Sequence, residues 1–210
     1  MTVLVVVLAR AAIALVVGIL TLERPTGVSL PEFAQPQRHF RVPNPAELSD
    51  LQALSIYDRI QDELVAGYAL SGEPAAADYP TWRRYNRAPY RSSTHGERFV
   101  NNYGNRQAAG YGEPGAGVMP PGAVLAKDSF TVTARGDVLS GPLFLMEKME
   151  AGWYAESGDW RYTMVMPDGT VAGRTLGENS DAMASCIACH AGVGETQDHL
   201  YLLPEEVRVQ

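Results

Sequence analysis

The sequence predicts an α+β chain: an antiparallel β-sheet domain with flanking helices. Three observations carry that expectation. Apolar residues recur every three or four positions between Leu48 and Tyr68. They alternate with a period of two from Pro120 onward, and the strands then give way to a short helical segment holding both cysteines of the 210-residue chain.

Residues 3–22 are apolar apart from Arg10 and Thr21. A run of about 20 apolar residues spans a bilayer, although an arginine in mid-span costs about 2.5–3.5 kcal/mol. Residues 11–22 alone read as the apolar core of an export signal, but no small-residue cleavage site precedes Glu23-Arg24-Pro25. Residues 1–24 are therefore an anchor in the inner membrane or a signal segment that is removed. Residues 25–43 contain four prolines and read as an extended linker.

A helical extension, residues 44–78, comes next. Asn44-Pro45 supplies a cap and a first-turn proline. Leu48, Leu51, Leu54, Tyr57, Ile60, Leu64 and Tyr68 form one apolar stripe, and Gly72-Glu73-Pro74 ends it. Residues 79–210 form the main domain. Its first part, residues 79–111, interleaves Trp82, Tyr85, Tyr90, Phe99, Tyr103 and Tyr111 with six arginines. Such a mixture stacks on nucleic-acid bases, but the formal net charge of -7 argues against that partner. The stretch suits a large planar ligand with carboxylates, for which arginine is fitted. Residues 123–133, 142–149 and 159–166 read as three strands, with turns at Arg135-Gly136-Asp137 and Pro167-Asp168-Gly169.

A helix from about Glu178 then carries Cys186-Ile187-Ala188-Cys189-His190. C-x-x-C-H is the attachment signature of c-type haem. The thiols bind the haem edge, and His190 is the axial ligand of the iron. A redox dithiol needs a βαβ setting that is missing here. A zinc site would need Cys186, Cys189, His190 and His199 together. Haem c, one per chain and covalently bound, is the reading adopted, with the C-terminal helix as the haem-attachment helix. Haem c is attached outside the cytoplasm, which places the domain on the periplasmic side.

On the far side of the iron, His95 is a candidate sixth ligand or propionate contact, and Met146, Met149, Met164 and Met166 are alternatives. Arg98 and Arg91 are candidates for the propionates. Six-coordinate iron would suit a membrane-anchored electron carrier with a redox partner protein. An open site would suit a small ligand.

Gly122-Ala123-Val124-Leu125-Ala126-Lys127-Asp128, Gly158-Asp159-Trp160-Arg161-Tyr162, Pro167-Asp168-Gly169 and the C-terminal C-x-x-C-H occur in that order. Over residues 85–204 the chain resembles the cytochrome P-460 family and its relative, the beta form of cytochrome c prime. The resemblance implies a periplasmic antiparallel-sheet protein, often a homodimer, with one haem c. It implies redox chemistry of hydroxylamine or nitric oxide, or gas binding without turnover. Lys127 matches the lysine that one branch cross-links to the haem, although its strand neighbours Leu125, Ser129 and Thr131 also fit a solvated lysine. Hydroxylamine oxidation needs a proton acceptor, and Glu147 and Asp128 are the candidates.

Overall fold

The structure, a computed structural model, describes residues 38–41, 48–113, 115 and 117–209. The anchor or signal segment, residues 1–24, lies outside the described residues. Among those described, no helix is long and apolar enough to cross a membrane. Four residues of the expected linker are a strand instead: β1, Arg38–Arg41, pairs with the sheet edge.

Helix α1 spans Asp50–Ala69 and begins at a capping box. The Ser49 side chain accepts the Gln52 N–H, and the Gln52 side chain accepts the Ser49 N–H. Leu48 and Ser49 thus precede the helix. The expected start at Asn44-Pro45 falls in residues 44–47, outside the described set. The buried face is Ala53, Ile56, Tyr57, Ile60, Leu64 and Tyr68. Leu51 is 77% exposed, because Ala53 and Ile56 turn the stripe away from it. A short helix α2, Pro74–Asp78, follows.

The remaining strands are β2 (Arg83–Arg84), β3 (Tyr90–Ser92), β4 (Arg98–Gly104), β5 (Val124–Val132), β6 (Asp137–Ser140), β7 (Leu143–Lys148), β8 (Trp160–Val165) and β9 (Val171–Arg174). Every pairing among them is antiparallel. β5 is the spine. It pairs with β4 along one edge, while β7 takes its first half and β6 its second half along the other. The chain crosses between β6 and β7 at Gly141-Pro142. There the Gly141 N–H donates to the Ser129 carbonyl at 2.9 Å. A Cβ on residue 141 would lie 2.3 Å from Ser129 Oγ, so only glycine fits.

Strand parity divides the sheet into two faces. Tyr103, Ala126, Phe130, Leu143, Leu145 and Val165 pack with the buried residues of α1 and with Tyr79. The helix shares this core with the sheet rather than standing apart as an extension. Leu125, Trp160 and Tyr162 pack on the opposite side with Met119, Met183, Leu200 and Leu203. There α3, Ala184–Ala191, carries the cysteine motif. None of its residues is fully buried, so its inward side meets a pocket rather than a core.

Candidate functional site

The pocket between α3 and the sheet has a volume of about 430 Å³, within the usual range for small-molecule sites. Two rows of cross-strand neighbours form its floor. One row is Lys127, Phe144 and Met164, and the next is Leu125, Met146 and Tyr162. Cys186, Cys189 and His190 stand against this floor, and Thr94, His95 and Arg98 line the same pocket. Met149 and Met166 do not line it, so only Met146 and Met164 of the four methionines remain near the site.

His190 is held in one orientation. Its Nδ1 lies 2.8 Å from the His199 carbonyl oxygen. A carbonyl only accepts, so Nδ1 carries the proton and Nε2 keeps its lone pair. Tyr162 and Tyr201 flank the ring, with centroids 5.3 Å and 5.5 Å away. Burial pushes the His190 pKa down, which favours the neutral imidazole, the form able to ligate a metal. Both cysteines are free, and burial raises the Cys186 thiol pKa. His199 offers His190 its backbone oxygen, not its ring. Among the described residues no group of three or more His, Cys, Asp or Glu side chains is placed to hold a metal ion, which leaves the zinc alternative without its ligand set.

Lys127 and His95 meet inside the pocket, Nζ to Nε2, at 3.5 Å. His95 Nδ1 lies 2.9 Å from Ser92 Oγ and 3.1 Å from Thr94 Oγ1, and its ring packs on Phe144. Burial first, then the charge of Lys127, lowers the His95 pKa to about 3. Burial lowers the Lys127 pKa to about 8. The imidazole is thus neutral at pH 7, and its Nε2 accepts from the lysine. Lys127 is half-buried and faces the pocket, not bulk solvent.

The other residues singled out from the sequence part company here. Arg98 lines the pocket and donates to Thr131 Oγ1 at 2.8 Å. Arg91 does not line it; this exposed arginine pairs with Glu97 at 2.9 Å. Glu147 shares the opposite sheet face with Leu145 and pairs with Arg161. Asp128 is also on that face, fully buried, and accepts from Tyr57 at 2.5 Å, Tyr79 at 3.2 Å and Asn101 at 3.1 Å. Neither carboxylate is a pocket residue, because odd and even positions of a strand point to opposite faces.

The pocket residues have unmet valences that suit haem. The Tyr162 hydroxyl is buried without a hydrogen-bond partner among the described residues. Two free thiols, an oriented imidazole and an arginine complete the set. Sequence reasoning missed Tyr162, whose alternation signalled a strand but not a role. It also missed the acceptor for His190, since a backbone carbonyl leaves no trace in side-chain chemistry.

The family model described as Cytochrome P460 matches residues 76–202 of the chain. No curated protein matches it significantly.

Proposed function

Because the chain belongs to the cytochrome P460 family, a family of haem proteins, we propose that it is an exported cytochrome carrying one covalent haem c and acting on small nitrogen compounds such as hydroxylamine or nitric oxide. Cys186 and Cys189 hold the haem, and His190 Nε2 binds its iron. The carrying observation is the His190–His199 hydrogen bond at 2.8 Å, because it leaves Nε2 as the ligating nitrogen in a pocket that Lys127 and His95 also line. When bound, the haem supplies a metal centre that exchanges electrons and takes a small ligand.

The protein's own groups define what enters. Phe144, Met146 and Met164 make an apolar floor, which suits a small uncharged ligand. Lys127 is the polar group that would face a bound haem, and Arg98 would be the contact for a propionate. No Asp or Glu is among the described residues lining the pocket. Lys127, whose pKa burial lowers to about 8, therefore replaces Glu147 and Asp128 as the candidate proton acceptor.

A second reading rests on His95. With Nδ1 facing Ser92 and Thr94, His95 Nε2 would serve as a sixth ligand once it exchanges its contact with Lys127, which would make the protein an electron carrier. Optical titration with nitric oxide separates the two. The holoprotein is expected to bind it stoichiometrically. A spectrum that does not respond in the wild type, but does respond in His95→Ala, selects the carrier. Heat-stable haem staining on a denaturing gel, lost in Cys186→Ala/Cys189→Ala, tests covalent attachment. Intact mass, compared with Lys127→Ala, tests whether the lysine is linked to the haem.

A further inference from the structure

One buried cluster on the pocket face lies outside the pocket itself. Lys148 is the next residue along β7 on the face of Phe144 and Met146, and it pairs across the sheet with Trp160. Its Nζ donates to Asp198 Oδ1 at 2.5 Å and to the Gly158 carbonyl at 2.8 Å, and lies 5.1 Å from the Trp160 ring centroid. Asp198 Oδ2 accepts from the Met119 N–H at 2.8 Å, and the Asp198 carbonyl accepts from Trp160 Nε1 at 2.9 Å. Both charged side chains are almost wholly buried, at 7% and 5% exposure. A buried ion pair is a weak route to stability, since a well-packed apolar pair often does as well. Another role is therefore worth seeking.

The backbone supplies that role. Asp198 and the next residue, His199, have φ of 50° and 59°. Two successive non-glycine residues in the left-handed region are strained and need external restraint. The His199 ring does not provide it through its buried Nδ1, which has no partner among the described residues. The ring instead rests on Gly158, where a Cβ would come within 2.5 Å of it. This strained turn is what aims the His199 carbonyl at His190.

We propose that the Lys148–Asp198 ion pair is a positioning device for the axial histidine: by clamping the backbone at residues 198 and 199 it fixes the carbonyl that takes the Nδ1 proton of His190. This rests on the reading of His190 as the iron ligand. A held hydrogen bond at Nδ1 makes the imidazole a stronger donor and so keeps the iron's reduction potential low. Lys148 acts through the backbone and touches neither ligand nor iron.

The test is the midpoint potential of the purified holoprotein, read beside its thermal midpoint. Lys148→Met/Asp198→Asn keeps both side-chain volumes close to the original and removes both charges together. It is expected to fold and attach haem, with a potential displaced upward from the wild type. Asp198→Asn, which keeps the side-chain shape, carries the same expectation if the double variant fails to fold. Glu73→Gln breaks the ion pair with Arg174 on β9 and serves as the control: its thermal midpoint falls while its potential stays. An unchanged potential in folded clamp variants overturns the proposal and leaves the haem reading intact. A wild type that takes up no haem overturns both.

Discussion

Asp128 gives the protein a pH dependence that can be worked out from the structure. Its carboxylate is fully buried between α1 and the sheet. Burial raises its pKa from 3.8 to about 6, against the opposing pull of hydrogen bonds from Tyr57, Asn101 and Tyr79. Below pH 4 the group is protonated in both the folded and the unfolded chain, and its contribution does not vary. Between pH 4 and pH 6 the unfolded chain has released the proton while the folded chain keeps it. Stability therefore falls as pH rises through this window and levels off above it. Each pKa unit is worth about 1.4 kcal/mol, so a rise of roughly two units corresponds to a loss of about 3 kcal/mol.

Other carboxylates titrate in the same window, so the measurement must isolate this one. Asp128→Asn is a neutral replacement of the same shape. Its oxygen can accept from Asn101, and its amide can donate to Tyr57, whose hydroxyl is also 2.8 Å from that of Tyr103. Urea unfolding of both proteins at pH 4, 5, 6 and 7 gives the difference in stability at each pH. The wild type is expected to lose about 3 kcal/mol relative to Asp128→Asn between pH 4 and pH 6–7. Parallel stability profiles would refute the assignment of a raised pKa to this carboxylate.

Ile60→Ala empties a fully buried site between α1 and the sheet and should cost about 2–5 kcal/mol in urea unfolding; a smaller loss would show α1 to be loosely docked. Gly141→Ala puts a methyl group on Ser129 Oγ and should lower stability by about 1–3 kcal/mol in urea unfolding; an unchanged midpoint would show that the β6–β7 crossing has room to give. With the pKa of Lys127 lowered to about 8 and that of His95 to about 3, nitric oxide affinity should show one transition near pH 8. That transition should vanish in Lys127→Met and persist in His95→Gln.

The legibility of the chain follows the kind of signal each part sends. β5, β7 and β8 announce themselves by apolar alternation, and their observed bounds, Val124–Val132, Leu143–Lys148 and Trp160–Val165, fall within the spans expected. β4 does not, because Asn101 and Asn102 occupy consecutive buried positions. Each is satisfied by a partner distant in sequence: Asn101 by Asp128 and Asn86, Asn102 by Tyr90. No window along the chain reveals such pairings. The motif at Cys186 exposes the attachment point of the site, but its surroundings depend on long-range register. Lys127 reaches the pocket because β7 brings Phe144 beside it, not because of any residue near it in sequence.

Parity along β5 also explains why the two charged residues at its centre have separate fates. Lys127 and Asp128 are adjacent, so a strand must send them to opposite faces. The lysine enters the pocket, and the aspartate enters the core under α1. Tyr57, which gives Asp128 its shortest hydrogen bond, comes from α1, and α1 lies before the residues matched by the family model. The helix therefore solves a problem that the sheet alone would have, a carboxylate on an apolar face. A one-residue slip of β5 would bury Lys127 under α1 and turn Asp128 toward the pocket, leaving each without its present partners. The Tyr57–Asp128 contact thus does more than satisfy a buried charge: it penalises the wrong register, and so helps hold Lys127 opposite His190.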